Sequence, residues 1–453
     1  MLAVTACGTA PAPASAPAPA PVEVDFEESA NEARVTQWIT GEGAAELEWV
    51  SCDVYGPAQE SVADQPRATS ECSTMTVPVD WFGPGDATTE VALHRVNSTG
   101  DAKGDLLMNP GGPGESGTAM VAGMSLEPSA QPLLQHFNFV GFDPRGVGSL
   151  SGTGDPFTCG EETAPDCEPS TDLEHHASTA AVAHDMEYLR ILLGDAPLNY
   201  LGYSYGTYLG AVYARLFPST VGAMVLDGPA PAQAFSASGG KAQAEALTQS
   251  RKRFLQACLD DSIGSCPFTG TVADAEDQLA EWVAQYEDTP FEFSDGVAFD
   301  GDSLTAYLDG VMYESRDTWP EASQTLADAK RQDEAAMRTI AESAGVGVND
   351  SIGQAVLCAI EEVQEEPGCV PQPVLDPPVS YSGASTLVVI ALTGDPATPF
   401  SDAGSLVDQL GNAVLVAVEG EGHAASYGKS ECASRIATEY FVSGTVPAAG
   451  TRC

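Results

Sequence analysis

Three residues are of the types that together activate a hydroxyl for attack on a carbonyl carbon: Ser204, Asp395 and His423. The serine is the centre of a Gly-Tyr-Ser-Tyr-Gly motif at 202–206, which separates a short apolar run from small and apolar residues at helical spacing. This pattern predicts a tight strand-to-helix turn that lifts the serine hydroxyl clear of a sheet. The glycines fit because the turn is too tight for a Cβ atom. Ser204 is therefore the predicted nucleophile.

Both other residues follow apolar runs that are predicted strands. Asp395 comes after the run at 385–392, and His423 comes after the run at 413–418. Open α/β sheets place functional side chains beyond the carboxyl ends of their strands, and the chain order serine, aspartate, histidine is the one expected of such a sheet. We therefore predict that His423 is the general base and that Asp395 orients it.

The chain offers alternatives to both partners. Asp227 and Asp402 are candidate orienting acids in place of Asp395. The other histidines lie within a predicted strand, before one, in a loop or on a helix, and none follows the last strand: His94, His136, His175, His176 and His184. His423 is thus the preferred base.

The stretch 105–117 begins as an apolar predicted strand and runs into a glycine-rich turn. Glycine lets a backbone N–H approach a ligand closely, so this loop is suited to binding an oxyanion. The turn lacks the Lys-Ser or Lys-Thr pair of a phosphate-binding loop, and it lacks the spacing of a dinucleotide site. We expect neither a cofactor nor a metal.

The composition is that of a globular protein with a strongly acidic surface. The 453 residues include 65 acidic and 18 basic side chains, for a formal charge of -47, and 43% are hydrophobic. Since there is no basic stripe, the charge argues against binding to nucleic acid or to an anionic membrane. The acidic surface is consistent with adaptation to high salt or with steering of cationic substrates, and composition does not distinguish the two.

Ten of the 11 cysteines fall in local pairs. None of the pairs has the Cys-x-x-Cys spacing of a metal site, and three of them enclose loops of about a dozen residues or fewer, as short disulfides do. We predict an exported protein with five disulfides: Cys52–Cys72, Cys159–Cys167, Cys258–Cys266, Cys358–Cys369 and Cys432–Cys453.

The eleventh cysteine, Cys7, lies in a Val-Thr-Ala-Cys-Gly segment that resembles a bacterial lipobox. Only six residues precede it, so a complete signal peptide requires a start further upstream. A Pro-Ala tract at 8–22 then predicts an extended spacer. We expect a secreted protein that is attached to the membrane, if at all, only through a lipid on Cys7.

The pattern of elements predicts a sheet domain with an insertion. Strand and helix alternate from about residue 105 to 228, which predicts a parallel sheet with crossovers. From 229 to 380 acidic helical segments dominate, which we interpret as a helical cap. The predicted organisation is a truncated signal and spacer (1–22), a first core part (23–228), the cap (229–380) and a second core part (381–453).

Individual elements are predicted within this frame. Two opening antiparallel strands are expected at 73–80 and 91–96, and a helix at 179–193. The predicted cap helices are 241–260, 271–286, 303–314 and 321–344. We expect three cap aromatic residues to form the core of the cap, where any of them could also line a substrate pocket: Trp282, Tyr313 and Trp319.

Together the motifs resemble the secreted actinobacterial α/β-hydrolase peptidases that are similar to tripeptidyl aminopeptidases and related to prolyl aminopeptidases. The resemblance covers nearly the whole chain from about Trp49. The motifs that carry it are Val-Pro-Val-Asp at 77–80, Asn-Pro-Gly-Gly-Pro-Gly at 109–114, Asp-Pro-Arg-Gly at 143–146, the serine motif at 202–210, Val-Leu-Asp-Gly at 225–228, Gly-Asp and Thr-Pro at 394–399, and Gly-His at 422–423.

The resemblance implies an α/β-hydrolase fold, with a mostly parallel sheet and an inserted helical cap. It also implies the triad Ser204, Asp395 and His423, and an oxyanion hole formed by the backbone N–H groups of Gly112 and Tyr205. The chain departs from the family pattern at Glu115, where glycine is common, and at 229–231, where a longer acidic continuation is usual.

The leading functional hypothesis is an extracellular serine aminopeptidase. It would act as a monomer on peptides with a free N-terminus and release short N-terminal peptides through an acyl-enzyme. An esterase or cutinase-like lipase is the alternative of the same class, since the same triad hydrolyses esters. From another class, a surface-tethered binding protein that has lost catalysis would share the scaffold.

An aminopeptidase must also hold the ammonium group of its substrate, and a partly buried carboxylate does this best. Glu115 is the candidate in the glycine-rich loop. The alternative role of Glu115 is to solvate the loop or to cap the helix beginning near Ser116. Three carboxylates of the predicted cap are the other candidates: Asp302, Glu314 and Glu361.

Overall fold

The computed structural model describes residues 24–41, 46–52, 68–147, 172–343, 355–361, 363 and 373–453. Several predictions made from the sequence fall outside these ranges. They concern Cys7, the Pro-Ala spacer, the pair Cys159–Cys167, and Cys369.

The strands are, in chain order, β1 (Val50–Ser51), β2 (Ser70–Pro78), β3 (Thr88–Val96), β4 (Asp105–Asn109), β5 (Asn138–Phe142), β6 (Leu198–Tyr203), β7 (Val221–Asp227), β8 (Phe291–Glu292), β9 (Ala298–Phe299), β10 (Leu387–Gly394) and β11 (Ala413–Glu421). Nine of them form one sheet in the order β1-β2-β3-β5-β4-β6-β7-β10-β11. The first four in this order pair antiparallel, and the pairs from β5 through β11 are parallel. The expected mostly parallel sheet with two opening antiparallel strands is confirmed.

The helices are α1 (Glu28–Thr40), α2 (Gly117–Met124), α3 (Gln131–Leu134), α4 (Thr179–Leu192), α5 (Tyr205–Leu216), α6 (Ala237–Leu259), α7 (Val272–Asp288), α8 (Gly301–Tyr313), α9 (Trp319–Lys330), α10 (Glu334–Ser343), α11 (Phe400–Leu410) and α12 (Glu431–Ser443). None of the helices in the described ranges is both long and apolar enough to cross a bilayer.

Helices cover both faces of the sheet, so its parallel strands are buried on both sides. β10 shows this in its sequence, since every residue from Leu387 to Leu392 is apolar and buried. One hydrophobic cluster joins the sheet to α1, α4, α5 and α11. A second cluster joins the opposite face to α2, α3 and α12. This three-layer arrangement leaves the carboxyl ends of the parallel strands free to carry a site.

The cap has a hydrophobic core of its own, formed by residues of α6 to α10 and of β9. Trp282 and Trp319 are buried in it, as expected. Residues 356, 360 and 363, which belong to the segment predicted as cap, pack instead in the cluster that contains α4 and α5. These three residues therefore pack with the sheet and not with the helices α6 to α10.

The predicted helix at 321–344 is two helices, α9 and α10. They are separated at Gln332, whose φ is +65°. Asp333 then accepts hydrogen bonds from the N–H groups of Ala335 and Ala336, both at 3.1 Å, and so caps α10. The break contains neither glycine nor proline, the residues that usually signal one.

Three of the predicted disulfides lie within the described residues and are present: Cys52–Cys72, Cys258–Cys266 and Cys432–Cys453. Cys358 is also disulfide-bonded.

Candidate active site

Ser204 occupies a strained turn between β6 and α5. Its backbone has φ +55° and ψ -125°, a conformation that side chains with a Cβ seldom adopt. Glycine is required on either side of the serine. A Cβ at Gly202 would lie 2.4 Å from the carbonyl oxygen of Gly206, and one at Gly206 would lie 2.8 Å from that of Asn109. The predicted strand-to-helix turn is therefore present, and its glycines are needed for close packing.

The glycine-rich loop lies directly beside Ser204. β4 and β6 are neighbours, with Asn109 opposite Gly202, so the chain leaves β4 next to the serine turn. Gly111 has φ +107°, and a Cβ at this position would lie 2.9 Å from the Cβ of Ser204 and 3.0 Å from the backbone nitrogen of Tyr205. Only glycine permits this approach.

The backbone N–H groups of Gly112 and Tyr205 are available to bind an oxyanion. Tyr205 is the first residue of α5, and the N–H groups of a first turn have no acceptor within their helix. Neither of the two N–H groups has a hydrogen-bond partner in the part of the chain that is described, whereas the N–H of Gly111 donates to the side chain of Asn109 at 3.0 Å. The positive end of the α5 dipole adds to the attraction for a negative charge.

Asp395 and His423 form a hydrogen-bonded pair. Nδ1 of His423 lies 3.0 Å from each carboxylate oxygen of Asp395. Because a carboxylate only accepts, Nδ1 carries the proton and donates it, which leaves Nε2 as the unprotonated nitrogen. The two residues follow β10 and β11, which are adjacent in the sheet. The structure thus brings the predicted acid and base together in the orientation a general base needs.

The imidazole also lies near the serine turn. The N–H of Ser204 donates to the carbonyl of Asp227 at 3.0 Å. The next residue, Gly228, has φ +71°, and a Cβ there would lie 3.2 Å from Cε1 of His423. No hydrogen bond joins the hydroxyl of Ser204 to His423 among the described residues, and bonds of this kind often tighten only when substrate binds. The three predicted triad residues therefore converge at the carboxyl ends of β6, β10 and β11.

Asp395 is held in its ionised form. Its burial alone would raise its pKa, but the neighbouring His423 and several hydrogen bonds outweigh this effect, and the pKa of Asp395 lies below its ordinary value. The carboxylate accepts from the N–H groups of Ala397 at 2.9 Å, Thr398 at 2.8 Å and Ala424 at 3.1 Å. These bonds fix the carboxylate, and hence the imidazole.

The alternative acid Asp227 has a different role. It is fully buried, and its carboxylate accepts from the backbone N–H groups of Ala425 at 2.9 Å and Ser426 at 2.6 Å, two and three residues beyond the histidine. Asp227 therefore holds the loop that follows His423. Within the described residues, Asp395 contacts the imidazole, and neither Asp227 nor Asp402 does.

The cap reaches the site through Tyr313, the last residue of α8. Its carbonyl oxygen accepts from the N–H of His423 at 2.9 Å and from Nζ of Lys429 at 2.7 Å. Its ring packs edge-on against the imidazole, with ring centroids 5.3 Å apart. A Cβ at Gly422 would lie 2.8 Å from the carbonyl oxygen of Glu314. Tyr313 is 38% exposed and is therefore not the cap-core residue that the sequence suggested.

A second cap helix contacts both triad loops. Arg253 of α6 donates two hydrogen bonds of 2.7 Å to the carboxylate of Glu421 and one of 3.2 Å to the carbonyl of Gly394, the residue before the triad acid. Gln243 of the same helix donates to the carbonyl of Ala397 at 3.0 Å. Sequence analysis missed these contacts. The sequence offered one hint of the Arg253 contacts, the scarcity of basic residues, 18 in 453. In so acidic a chain, an arginine is expected to pair with a carboxylate.

Of the four carboxylates predicted to bind a substrate amine, Glu115 and Glu314 lie near the site. Glu314 directly follows Tyr313. Asp302 lies at the opposite end of α8, on the order of 15 Å away at a rise of about 1.5 Å per residue. Glu361 is exposed, and its neighbours pack in the cluster on the α4 side of the sheet.

Glu115 is exposed and folds back over its own loop. Its Cγ lies 3.3 Å from the position that a Cβ would take at Gly112. Burial of its carboxyl group among neighbouring atoms raises the pKa of Glu115, and His423 lowers it in part. Glu115 does not cap α2, because the hydroxyl of Ser116 accepts from the N–H of Ala119 at 3.0 Å and serves as the cap. The capping role suggested from the sequence is therefore wrong.

Two of the other histidines, His94 and His184, have partners outside this site. His184 is fully buried in α4, and burial lowers its pKa to about 3. Cys52, Cys72 and His94 are close enough together to suggest a metal site. The two sulfur atoms are bonded to each other, however, and so are not thiolate ligands.

Comparison with known proteins agrees with this geometry. Residues 106–258 match a family model described as alpha/beta hydrolase fold, and residues 352–453 match one described as TAP-like protein. The serine protease Hip1 from Mycobacterium tuberculosis is 27% identical, over 90% of this chain and 91% of its own length. Carboxylesterase B from the same species is 29% identical, over 90% of each chain. The tripeptidyl aminopeptidase of Streptomyces coelicolor is 35% identical over 190 residues, which are 35% of this chain and 34% of its own.

The two family models together include the parallel strands and all three residues of the predicted triad. The chain therefore has the α/β-hydrolase fold with a C-terminal part that matches the TAP-like model, and its similarity to Hip1 and to the tripeptidyl aminopeptidase of Streptomyces supports a hydrolase of the serine protease type.

Proposed function

We propose that the protein is an extracellular serine aminopeptidase that releases short N-terminal pieces from peptides through an acyl-enzyme. The observation that carries the proposal is the hydrogen bond from His423 to Asp395 beside the strained turn of Ser204. A strained serine next to an oriented imidazole is the arrangement that converts a weak nucleophile into a strong one.

In the proposed reaction, Oγ of Ser204 attacks the carbonyl carbon while Nε2 of His423 takes its proton. The carbonyl electrons move onto oxygen, where the N–H groups of Gly112 and Tyr205 bind the negative charge. The bond to nitrogen then breaks, and the imidazolium gives its proton to the leaving amine. Water attacks the serine ester with His423 again as base, which releases the acid and restores Ser204.

Asp395 acts through the imidazole. It keeps the proton on Nδ1, and its negative charge stabilises the imidazolium that forms in each step. Because its pKa lies below the ordinary value, Asp395 is ionised at neutral pH.

The preference for a peptide terminus is supported by the cap and by the relatives. The end of α8 packs on His423, and α6 is bonded to the loops that carry Asp395 and His423, so a substrate that reacts at Ser204 would lie beside the cap. Hip1 is named a serine protease, and the Streptomyces relative is named a tripeptidyl aminopeptidase. Both names favour a peptide substrate, and the second also favours a free N-terminus.

Ser204→Ala tests the proposal. The variant should lose both labelling by a fluorophosphonate probe and turnover of peptidyl anilides, because both need the serine oxygen. Ser250→Ala is a matched control, since Ser250 is a buried serine of the cap helix α6 whose hydroxyl has no partner in the described structure. Turnover that survives in Ser204→Ala would exclude Ser204 as the nucleophile.

Ester hydrolysis is the second candidate, and the relative named Carboxylesterase B favours it. The two activities are distinguished by measuring kcat/KM for a free-amine peptidyl anilide, its N-acetylated form and a short-chain nitrophenyl ester. Turnover of the ester alone would reject the aminopeptidase hypothesis.

Absence of probe labelling in correctly folded protein would favour the third hypothesis, a binding protein without catalysis.

The extracellular location is proposed from the disulfides and from the lipobox-like segment at Cys7. Disulfides persist in oxidising compartments, and the three described ones close loops in both the core and the cap. Fractionation of the native host, with mass analysis of Cys7 for an attached lipid, distinguishes a free secreted protein from an anchored one. Light scattering tests the accompanying proposal that the protein is a monomer.

A further inference from the structure

Glu115 lies over the loop that supplies the proposed oxyanion hole. Gly111 packs against Ser204 and the nitrogen of Tyr205, and the next residue is Gly112. The Cγ of Glu115 lies 3.3 Å from the position that a Cβ would take at Gly112. The Cγ therefore contacts the loop, and the carboxylate carbon is bonded directly to this Cγ. Glu115 is also close enough to His423 for the imidazole to lower the pKa of the Glu115 carboxyl group.

No lysine or arginine among the described residues pairs with the carboxylate of Glu115. Its carboxylate has no hydrogen bond or ion pair among the described residues. The two basic residues described above that join the cap to the site have other partners: Lys429 donates to two carbonyls, and Arg253 donates to Glu421. A negative charge is therefore left beside the place where a second negative charge develops during catalysis.

This arrangement has opposite consequences for neutral and for cationic substrates. With a neutral acyl group, the carboxylate of Glu115 repels the oxyanion and raises the barrier. With an ammonium group on the acyl residue, the carboxylate accepts a charge-assisted hydrogen bond, and the pair has no net charge. The same side chain thus favours the reaction of a substrate with a free amino group and disfavours the reaction of a neutral substrate such as its N-acetylated form.

We propose that Glu115 selects substrates by charge: it binds an ammonium group carried next to the scissile carbonyl, and it opposes the reaction of acyl groups that lack one. The inference rests on the proposed serine hydrolase function. It also restricts the substrate class. In an extended tripeptidyl acyl group the ammonium lies roughly 7 Å further from the carbonyl than in a single residue, beyond the position of Glu115.

The test is Glu115→Gln, which removes the charge and retains the shape. The kcat/KM for alanyl anilide should fall on the order of tenfold, and that for N-acetyl-alanyl anilide and for a nitrophenyl ester should rise severalfold. The loss should be larger for alanyl anilide than for trialanyl anilide. If kcat/KM changed in the same direction for the free and the acetylated substrate, the proposal would be overturned. If the loss of kcat/KM were larger for trialanyl anilide than for alanyl anilide, the assigned position of the amine would be wrong.

Two controls separate this result from other causes. Glu342→Gln removes a charge from the cap helix α10, where Glu342 pairs with Arg338, and it should change none of these ratios. The rate of labelling by a neutral fluorophosphonate reports a folded site without any peptide, and it should rise in Glu115→Gln. If Ser204→Ala is inactive and Glu115→Gln behaves like wild type, only the inference about Glu115 fails. If Ser204→Ala is active, the proposed function fails as well.

Discussion

Asp227 and Ser426 join the strand beside the nucleophile to the histidine loop. The carboxylate of Asp227 accepts from the N–H of Ser426 at 2.6 Å and from its hydroxyl. The backbone carbonyl of the same aspartate accepts from the N–H of Ser204 at 3.0 Å. One buried residue therefore contacts the serine turn through its main chain and the histidine loop through its side chain.

We predict that Asp227→Asn lowers kcat by roughly tenfold to a hundredfold with little change in KM, because a displacement of about 1 Å in the imidazole can cost that much. In asparagine one carboxylate oxygen is replaced by an NH₂ group, which is a donor. This donor would face one of the two backbone N–H groups that now donate to Asp227, and that hydrogen bond would be lost. The loop depends on such bonds, since Ala424 and Tyr427 have φ values of +58° and +50°. Steady-state kinetics and the pH profile of kcat measure the effect.

Ser426→Ala is the graded comparison for this prediction. It removes the hydroxyl bond to Asp227 but retains the backbone N–H, so its loss of kcat should be smaller than that of Asp227→Asn. A variant Asp227→Asn with wild-type kcat and pH profile would show that the histidine loop is positioned without this carboxylate.

Disulfide mapping tests the predicted cysteine pairing. Mass spectrometry of non-reduced digests should find five local bridges and no bridge at Cys7. Three of them are seen in the described residues, so the experiment is most informative for Cys159–Cys167 and Cys358–Cys369. A bridge between distant cysteines, such as Cys159 and Cys258, would contradict the pairing and the cap boundary derived from it.

The proposed triad could be derived from the sequence because each member depends on a local pattern. Ser204 requires flanking glycines, and Asp395 and His423 each follow an apolar strand. Adjacent parallel strands bring their carboxyl ends together, so predicting the strands was sufficient to predict that these residues meet. The same logic placed the glycine-rich loop beside the serine, since β4 and β6 are neighbours.

The contacts of the cap could not be predicted in this way. Tyr313 and Arg253 lie on cap helices, where aromatic and basic residues occur for many reasons, and nothing local marks them as partners of the triad loops. Their role depends on how the cap rests on the sheet domain, which periodicity does not encode. The same limit explains why residues 356 and 360, close in sequence to the cap, pack against the core.

Asp376 should make the stability of the protein depend on pH. It is buried, accepts from the N–H of Ala180 at 2.8 Å, and burial raises its pKa to about 7. A carboxyl group with a higher pKa in the folded than in the unfolded protein binds its proton more tightly when folded. The stability it contributes is therefore complete below about pH 4 and declines as the pH rises toward 7.

The measurement is the thermal midpoint from pH 4.5 to pH 8 in wild type and in Asp376→Asn, which cannot ionise. The midpoint of wild type relative to the variant should fall across this range, by an amount equivalent to a few kcal/mol at most. Asp288→Asn, at an exposed residue at the end of α7, controls for the loss of one negative charge. A constant difference between wild type and Asp376→Asn would contradict the prediction.

Arg253 should couple the cap to catalysis. It donates to both carboxylate oxygens of Glu421 and to the carbonyl of Gly394, which precede the triad histidine and the triad acid. Arg253→Met keeps an unbranched apolar stem but removes the guanidinium group, which leaves Glu421, whose side chain is 13% exposed, without its cation. We expect kcat/KM to fall about tenfold, because both triad loops lose a support.

Two variants give this prediction its specificity. Arg253→Lys should be intermediate, since a single ammonium cannot reproduce the planar fork that bonds two carboxylate oxygens. Arg251→Met is the matched control, because Arg251 lies on the same helix and pairs with Asp309 within the cap, so it should change thermal stability without a comparable loss of kcat/KM. Equal losses in Arg253→Met and Arg251→Met would mean that the helix matters only as part of the cap, and that the contact with Glu421 and Gly394 has no separate effect on the triad.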